Sequence, residues 1–273
     1  MGDSTIPDCI GIIAGNGIYP ITFIRAARAA GVTKLVMAAF TGETNPDLAD
    51  KVEAIDWFRV GQLSRMIKFF KAQGVKQVVM VGQIAPRNLF DLRPDIRTLI
   101  MMARLKQRNA ESLFGGIANE LGKDGIELLP ATTYLEDLMP PAGHIAGPQP
   151  KKRRWEDAQY GFKIAKESSR MDIGQTVVVK NGTVLAVEAF EGTNEAIKRG
   201  GALGRGGATM VKVSKPNQDI RFDVPVVGPE TIRTAANAGV DLIAVEARMT
   251  IVLARDEVDT LCHDLKVALI AVA

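Results

Sequence analysis

The chain has 273 residues, of which 47% are hydrophobic and 24% charged, and its formal net charge is +3. This composition is typical of a globular protein with one or two domains and excludes a disordered chain. Apolar runs such as QVVMV are far shorter than the about 20 residues that cross a bilayer, and the first residues lack the pattern of a signal peptide. Two distant cysteines, Cys9 and Cys262, indicate a reducing compartment. We therefore expect a cytoplasmic protein.

Short apolar strands alternate with amphipathic helices in the first half of the chain. Strands are predicted at residues 10–14, 34–40 and 77–81, and helices at residues 21–30 and 63–74. This alternation predicts a parallel sheet covered by helices, which is a Rossmann-like α/β domain over residues 1–135. A further helical stretch begins near Pro94, since proline suits a first helical turn.

The composition changes near Met139, where MPPAGHIAGPQPKKRR combines four prolines with a basic run. Proline and glycine interrupt regular structure, so residues 136–155 are predicted to be a linker. After a helix that ends near Arg170, TVVVKNGTVLAVEAF places Asn181-Gly182 between two β-branched runs, a pattern typical of a hairpin. Residues 156–273 are therefore predicted to form an α+β domain.

The stretch Gly15-Asn16-Gly17, here called the glycine turn, separates the first strand from the first helix. It resembles the dinucleotide fingerprint G-x-G-x-x-G, but Pro20 occupies the third glycine position and Glu43 comes late for a ribose-binding acid. No Walker A sequence occurs. Free N–H groups at a helix start favour a phosphate, although a purely structural turn would have the same sequence.

Two further strand ends contain glycine followed by glutamine, in VGQ at residues 60–62 and VGQI at residues 81–84. Ligands of open parallel sheets bind beyond the carboxyl ends of the strands. We therefore predict a nucleotide site at this edge of the sheet. Its residues are Gly15, Asn16, Gly17, Pro20, Gly61, Gln62, Gly82, Gln83 and Ile84.

Carboxylates, hydroxyls and lysines collect in the second half of the chain. Asp223 lies between apolar residues just before Pro225, and it is either a solvent-facing strand residue or turn former, or a carboxylate that points into a site. Five glycines between Gly200 and Gly207 predict a loop that is either mobile or able to approach a phosphate. The candidates for binding a phosphate or lipid headgroup are Thr193, Asn194, Thr209, Lys212 and Lys215.

The sequence lacks the residues that several kinds of catalytic or metal site require. His144 and His263 are too few for a histidine-rich metal site, no G-x-S-x-G sequence occurs, and neither cysteine has a motif around it. Oxygen ligands remain, which suit Mg²⁺ or Mn²⁺ on phosphate oxygens. The candidate metal ligands are Asp223, Glu188 and Glu191.

Basic residues form two clusters. The first contains Arg87, Arg93, Arg97, Arg104, Lys106 and Arg108, and the second is the run from Lys151 to Arg154. Each cluster is either solvated surface or a source of attraction to nucleotide phosphates or anionic lipid headgroups. Nucleic acid is not expected as a partner, because no aromatic stacking series accompanies the basic residues.

The chain resembles the LpxI family, the UDP-2,3-diacylglucosamine pyrophosphatases of lipid A biosynthesis. The matching stretches are GIIAGNGIYP, VGQ, DIGQTVVVKNGTVLAVEAFEGTNEAI, MVKVSKPNQDIRFDVPVVGPETI and AGVDLIAVEA, in order over nearly the whole chain. The resemblance implies hydrolysis of UDP-2,3-diacylglucosamine to UMP and 2,3-diacylglucosamine 1-phosphate (lipid X), by water attack on the β-phosphate with a divalent cation. It also implies an N-terminal nucleotide-binding domain, a C-terminal lipid-binding domain and an essential catalytic aspartate that falls on Asp223.

A diacyl substrate adds three expectations. The second domain is expected to hold an apolar pocket for the acyl chains, and the basic clusters are expected to give transient contact with the cytoplasmic face of the inner membrane. A homodimer is left open. Two other functions compete with hydrolysis, a nucleotide-binding regulatory module and an NAD(P)-dependent oxidoreductase, and the second is weakened by Pro20.

Overall fold

A computed structural model describes residues 6–84, 94–105 and 110–273 of the protein. The chain divides into two compact units. The N-terminal unit contains Met1–Tyr134 and a short return segment, Asp219–Asp223, and the C-terminal unit contains Leu135–Gln218 and Val224–Ala273. Across the described ranges, no helix is both long and apolar enough to span a membrane.

The N-terminal unit contains a five-stranded sheet in the order β3-β2-β1-β4-β5, and all of its pairs are parallel. In chain order the elements are β1 (Cys9–Ala14), α1 (Tyr19–Ala30), β2 (Lys34–Phe40), β3 (Ala54–Phe58), α2 (Leu63–Ala72), β4 (Gln77–Val81), α3 (Ile96–Arg104), α4 (Ala110–Lys123) and β5 (Glu127–Leu128). The predicted α/β class is confirmed. Because the strand order reverses between β1 and β4, the switch point of the sheet lies at their carboxyl ends.

Near-continuous apolar strands explain why this sheet is covered on both faces. Residues 10–14 of β1 and 35–40 of β2 are all buried, as parallel strands between two helical layers require. Helix α1 buries Phe23 and Ile24 against the sheet and ends at Gly31, whose φ of +105° suits only glycine.

The C-terminal unit contains a six-stranded mixed sheet in the order β6-β13-β11-β9-β7-β8. Its elements are β6 (Gly143–Ala146), α5 (Lys152–Arg170), β7 (Thr176–Lys180), β8 (Thr183–Val187), α6 (Thr193–Gly204), β9 (Ala208–Lys212), β10 (Val226–Val227), α7 (Pro229–Asn237), β11 (Val240–Glu246), β12 (Ile251–Val252), α8 (Arg255–Asp264) and β13 (Ala268–Val272). Helix α5 packs on one face, and α6, α7 and α8 pack on the other. The predicted hairpin is present, with Asn181 and Gly182 at positive φ between β7 and β8.

Two stretches differ from the sequence-based expectation. Residues 136–155, expected to be a linker, supply β6, which pairs antiparallel with β13, and the start of α5. The glycine stretch was expected to be a loop, but α6 continues to Gly204. A Cβ at Gly200 would lie 2.7 Å from Val178 Cγ1, so these glycines let the helix pack closely on the sheet. Burial of α6 outweighs the low helix propensity of glycine.

Candidate functional site

The glycine turn lies at the switch point, where the ends of β1 and β4 meet. Gly15 N donates to Val81 O at 2.8 Å, and Asn16 N donates to Gln83 O at 2.7 Å. A Cβ at Gly15 would lie 2.7 Å from Gln83 N, and a Cβ at Gly82 would lie 2.7 Å from Asn16 O. These two glycines are therefore required by the close approach of the strand ends, which is a structural role.

Asn16 and Gln83 are brought together here, as the sequence predicted, and a neighbouring acid orients Asn16. Asn16 Nδ2 donates to Glu43 Oε2 at 2.6 Å, and Glu43 is buried. Thr44 Oγ1 accepts from Phe40 N at 2.8 Å and donates to Ala14 O at 2.5 Å. Glu43 and Thr44 thus position the glycine turn from the end of β2. Sequence reasoning treated Glu43 only as a poorly placed ribose ligand, and no motif identified Thr44.

The open side of the turn is the start of α1. Gly17 has a φ of +83° and no heavy atom within 4 Å of an added Cβ. No side chain caps the start of α1, and Pro20 occupies its second position without needing an N–H partner. Buried Tyr19 donates its hydroxyl to Ala131 O at 2.7 Å, and burial raises its pKa. The exposed helix start and the positive end of its dipole favour a phosphate.

Gly61, Gln62 and Ile84 contribute to a different feature. Gln62 Oε1 accepts from Arg59 N at 2.9 Å, and Gly61 O accepts from Thr98 Oγ1 at 2.6 Å. All three residues line an apolar cavity of about 90 Å³ in the N-terminal unit. Since β3 is two strands from β1, Gly61 and Gln62 follow a strand roughly 10 Å from the one that carries the glycine turn.

A buried polar cluster lies in the C-terminal unit where β8, α6, β7 and β9 meet. This Glu188 cluster consists of Glu188, Thr193, Thr176 and Lys212. Thr193 Oγ1 donates to Glu188 Oε1 at 2.9 Å and accepts from Lys212 Nζ at 3.3 Å. Thr176 Oγ1 lies 3.5 Å from Thr193 Oγ1, and Lys212 Nζ also donates to Val226 O at 3.2 Å.

The Glu188 cluster has unused acceptor capacity. Glu188 and Lys212 are each 8% exposed, and Glu188 Oε2 is buried with no hydrogen-bond partner among the described residues. A buried polar atom without a partner costs about 1–3 kcal/mol, so this oxygen has the capacity to accept a hydrogen bond from a bound ligand. The start of α6 adjoins it, with Gly192 at φ +84° and no side-chain cap. The arrangement suits a phosphate that carries a proton donor or a hydroxyl-bearing sugar.

The other predicted phosphate ligands lie outside this cluster. Asn194 follows Thr193 in α6 and is exposed. Thr209 pairs with Val179 on the sheet face that α5 covers, whereas Lys212 pairs with Thr176 on the opposite face. An odd separation of three residues along a strand reverses the face, which the sequence-based grouping overlooked. Lys215 forms an ion pair of 2.5 Å with Asp172.

Asp223 belongs to the return segment and therefore to the N-terminal unit, although the sequence placed it in the second domain. Ile220 O accepts from Ala131 N at 2.8 Å, and the Phe222 ring lies 5.7 Å from that of Phe114. Asp223 N donates to Asp219 O at 3.0 Å, which turns the segment tightly, and the carboxyl-bearing residue is half-buried. Packing of Phe222 in the first core explains why the chain returns.

The three predicted metal ligands are divided between the two units, so their grouping around one ion stays a prediction. Glu191 accepts from Arg199 Nη2 at 2.5 Å and from Ala189 N at 3.0 Å, and the bond from Arg199 lowers its pKa. Asp223 belongs to the N-terminal unit, whereas Glu188 and Glu191 belong to the C-terminal unit. Over the described part of the chain, no three His, Cys, Asp or Glu side chains are grouped so that they could hold a metal ion.

The two thiols are poor nucleophiles, and both histidines are exposed. Burial raises the pKa of Cys262 to about 12 and also raises that of Cys9, so neither thiol ionises readily near neutral pH. His144 lies in β6 with its ring Nε2 3.1 Å from Gly147 O and is exposed.

Some of the basic residues in the two predicted clusters form hydrogen bonds and ion pairs within the fold. Arg97 donates to Glu120 and Asp124 at 2.6 Å each, and Arg154 binds the carbonyls of Gly207 and Ala208 and the carboxylate of Asp241. The exposed members that remain are Arg104, Lys151, Lys152 and Arg153. Arg87, Arg93, Lys106 and Arg108 lie outside the described residues.

Helix α3 presents apolar side chains to the outside. Ile96, Leu99 and Ile100, here called the α3 ridge, are 76%, 52% and 48% exposed. On its other side, Thr98 and Met101 are buried. Singly exposed apolar residues are ordinary, but three on one helix face indicate an interaction surface.

Comparison with known proteins supplies the relationships of the chain. The family model of the LpxI N-terminal domain matches residues 9–138, and that of the LpxI C-terminal domain matches residues 141–270. A protein of Caulobacter vibrioides, UDP-2,3-diacylglucosamine pyrophosphatase LpxI, is 31% identical to this chain over 267 residues, which are 94% of each chain.

Proposed function

This chain belongs to the LpxI family, and from that premise we propose that it hydrolyses UDP-2,3-diacylglucosamine to UMP and lipid X in lipid A biosynthesis. The observation that carries the proposal is the 31% identity to the Caulobacter vibrioides pyrophosphatase over 94% of both chains. An identity of this extent covers both units rather than one motif. The oxidoreductase alternative loses further support because Glu43, the nearest candidate for a ribose ligand, is bonded to Asn16.

The nucleotide end of the substrate binds the N-terminal unit at the switch point. The start of α1 and Gly17 receive a phosphate, and Asn16, held by Glu43, presents its remaining amide and carbonyl groups to the nucleotide. Gln83 completes this set through its position opposite Asn16. Gly61, Gln62 and Ile84 are not assigned to the nucleotide, since they line the apolar cavity.

The sugar-phosphate end binds the Glu188 cluster. Lys212 Nζ and the uncapped start of α6 supply positive charge and donors for the β-phosphate. Glu188 Oε2 accepts a hydrogen bond from a hydroxyl or amide of the sugar, which satisfies its unused acceptor. Thr193 holds Glu188 and Lys212 in this arrangement.

Asp223 is assigned to the attacking water. The water oxygen bonds to the β-phosphorus while the bond from that phosphorus to the bridging oxygen breaks, and UMP leaves with the bridging oxygen. The proton of the water passes to the carboxylate of Asp223, which returns it to solvent. A carboxylate can accept this proton, and the family resemblance places the essential carboxylate at Asp223.

Mg²⁺ or Mn²⁺ is proposed as a cofactor on the family resemblance alone. The described residues contain no group of three His, Cys, Asp or Glu side chains that could hold the ion, and its expected ligands are divided between the two units, so no residue is assigned to it.

We further propose that the protein works at the cytoplasmic face of the inner membrane, in transient contact with it. The α3 ridge with exposed Arg104 at the end of the same helix supports this, since apolar and basic groups together favour an anionic lipid surface. The exposed basic residues at the start of α5 act in the same direction. A homodimer remains a separate proposal, which sedimentation of the purified protein tests.

The activity is tested by incubating the protein with UDP-2,3-diacylglucosamine and Mg²⁺ or Mn²⁺ and measuring UMP. We expect Asp223→Asn to lose most hydrolysis while keeping its unfolding transition and its affinity for UMP. Asp256→Asn, on an exposed carboxylate of α8, is the matched control. Release of UMP at the normal rate by a folded Asp223→Asn protein would remove the assignment, and absence of UMP with the unaltered protein would remove the proposed function.

A further inference from the structure

We propose that Arg221 contacts the α-phosphate of the substrate and offsets the negative charge that collects on the leaving UMP. This inference rests on the proposed function and adds a charged side chain to it, since the start of α1 and Gly17 are the groups assigned to the nucleotide phosphate there. Arg221 belongs to the return segment Asp219–Asp223 and therefore to the N-terminal unit, which also carries the glycine turn.

One carboxylate fixes both the main chain and the guanidinium of Arg221. Asp219 Oδ1 accepts from Arg221 Nε at 2.9 Å, and Asp219 Oδ2 accepts from Arg221 Nη2 at 2.6 Å, so the two side chains form a two-bond pair. Asp219 Oδ1 also accepts from Arg221 N at 3.1 Å. Because the side chain is already held in one orientation, a ligand that binds the guanidinium pays little to order it.

The guanidinium keeps donors for a second anion. It has five N–H groups, and the pair with Asp219 occupies one on Nε and one on Nη2, which leaves three. Within the described ranges, Asp219 is the one residue to which this guanidinium donates, and the Arg221 side chain is 40% exposed. A planar guanidinium with spare donors and access to solvent matches the geometry of a phosphate.

Ala131 joins the return segment to the start of α1. Ala131 O accepts from the hydroxyl of Tyr19, the first residue of α1, at 2.7 Å, and Ala131 N donates to Ile220 O at 2.8 Å. A single residue therefore connects α1 to the neighbour of Arg221. The start of α1 favours a phosphate, and this contact brings the return segment to the same helix.

Arg221 and Asp223 are carried by the same tight turn. Phe222 N and Asp223 N both donate to Asp219 O, at 3.2 Å and 3.0 Å, and the ring of Phe222 lies 5.7 Å from that of Phe114 in α4. The turn thus fixes the backbone of both residues relative to each other and to the core of the N-terminal unit.

The lengths of the two side chains suit the two ends of an in-line displacement. The attacking water and the leaving phosphate lie on opposite sides of the β-phosphorus, so the group that takes the proton and the group that holds the leaving phosphate must reach different distances. The short side chain of Asp223 and the long side chain of Arg221, two positions apart, meet this requirement.

The chemistry of the step calls for a cation at the leaving phosphate. Breaking the bond between the β-phosphorus and the bridging oxygen leaves additional negative charge on the α-phosphate of UMP. Arg221 donates hydrogen bonds to this phosphate and transfers no proton, because a guanidinium stays protonated in proteins. A contact that strengthens as the charge develops stabilises the transition state and also binds the product UMP.

Variants that remove the charge test this contact. Arg221→Gln and Arg221→Met are two such variants, and Arg233→Gln is the matched control, because Arg233 is 45% exposed and forms an ion pair of 2.7 Å with Glu257 in the C-terminal unit. Affinities for UMP and for uridine, which lacks the phosphate, are measured by calorimetric titration. Values of kcat and KM are measured with the diacyl substrate, and thermal unfolding reports whether each variant is folded.

We expect the unaltered and Arg233→Gln proteins to bind UMP at least about tenfold more tightly than uridine, since a charged hydrogen bond is lost with the phosphate. A folded Arg221 variant should lose this preference, keep its affinity for uridine, and lower kcat by about 100-fold or more. Retention of the preference by a folded variant overturns the inference, as does an unaltered protein that binds UMP no more tightly than uridine.

A merely structural role of Arg221 in the turn gives a different result, which also overturns the inference. Loosening of the turn would weaken the binding of UMP and of uridine by the same factor, or of neither. If the preference for UMP depends on Arg221 but the unaltered protein releases no UMP from the diacyl substrate, the proposed function fails and the phosphate contact stands. If the unaltered protein releases UMP and the folded Arg221 variants do so at the same rate, the proposed function stands and the inference fails.

Discussion

Replacing Gly15 by alanine tests whether the glycine turn is required by the approach of two strands. The added Cβ would lie 2.7 Å from Gln83 N and 2.8 Å from Gln83 C, which are main-chain atoms and cannot rotate away. The ends of β1 and β4 must separate, which weakens the bonds from Gly15 N to Val81 O and from Asn16 N to Gln83 O. Gly17→Ala is the matched variant, because its Cβ meets no atom within 4 Å.

The two variants differ in the expected magnitude. Overpacking costs about 1–3 kcal/mol and each of the two weakened backbone bonds about 1 kcal/mol, so Gly15→Ala should lower the free energy of unfolding by about 3–5 kcal/mol. Gly17→Ala carries only the strain of its φ of +83°, about 1–2 kcal/mol. Urea unfolding in a Trp155→Phe background measures this, since Trp57 then reports on the N-terminal unit. An equal or smaller loss for Gly15→Ala than for Gly17→Ala would refute the reasoning.

Three further predictions concern the phosphate site, the acid response and the cation. Lys212→Met should lower kcat/KM about 10²–10³-fold, because it removes a charged hydrogen-bond donor. Lys198→Met, which replaces an exposed lysine of α6, should leave kcat/KM unchanged. Equal kinetics of the two variants would contradict the assignment of Lys212 to the phosphate. The pKa of Glu120 is lowered by its bonds to Lys123 and Arg97, and that of Asp124 by its bonds to Lys71 and Arg97. Because both folded-state pKa values lie below the ordinary ones, this stabilisation is complete above about pH 4.5 and is lost as the pH falls further. Arg97→Gln should therefore destabilise the protein by about 1 kcal/mol at pH 7 and by progressively less as the pH falls through the lowered folded-state pKa values, measured by urea titrations, and a loss that stays constant as the pH falls would refute the linkage. EDTA should abolish UMP release and added Mg²⁺ should restore it, and release that persists in EDTA would contradict the proposed cofactor.

Local patterns predicted those parts of the fold in which local and tertiary preferences agree. The Asn181-Gly182 turn was predictable because a two-residue hairpin needs positive φ at both positions, and the structure has it. The strands of the first sheet were predictable because burial on both faces requires continuous apolar runs. Helix α6 could not be predicted, because its glycines are required by close contacts with Val178 and Ala238, and these residues are distant in the sequence.

The candidate site likewise contains some contacts that could be predicted from the sequence and others that could not. Asn16 and Gln83 could be placed together from the topology of a parallel sheet, and the register confirms their proximity. The side chain of Glu43, which orients Asn16, could not be inferred, because its bond depends on the turn after β2. Thr209 was grouped with Lys212 by nearness in sequence, although strand geometry places them on opposite faces. The return of Asp223 to the N-terminal unit depends on where Phe222 finds a core, which is a tertiary property.

The return segment Asp219–Asp223 also affects the order of events during biosynthesis. The N-terminal unit lacks Ile220 and Phe222 until the ribosome has added residues 135–218, which takes roughly 4–17 s at about 5–20 residues per second. During that interval Phe114 lacks its aromatic neighbour and Ala131 N lacks its acceptor in Ile220. A nascent chain that ends near Tyr134 is therefore an incomplete folding unit, and the same holds for a truncated gene product that stops there.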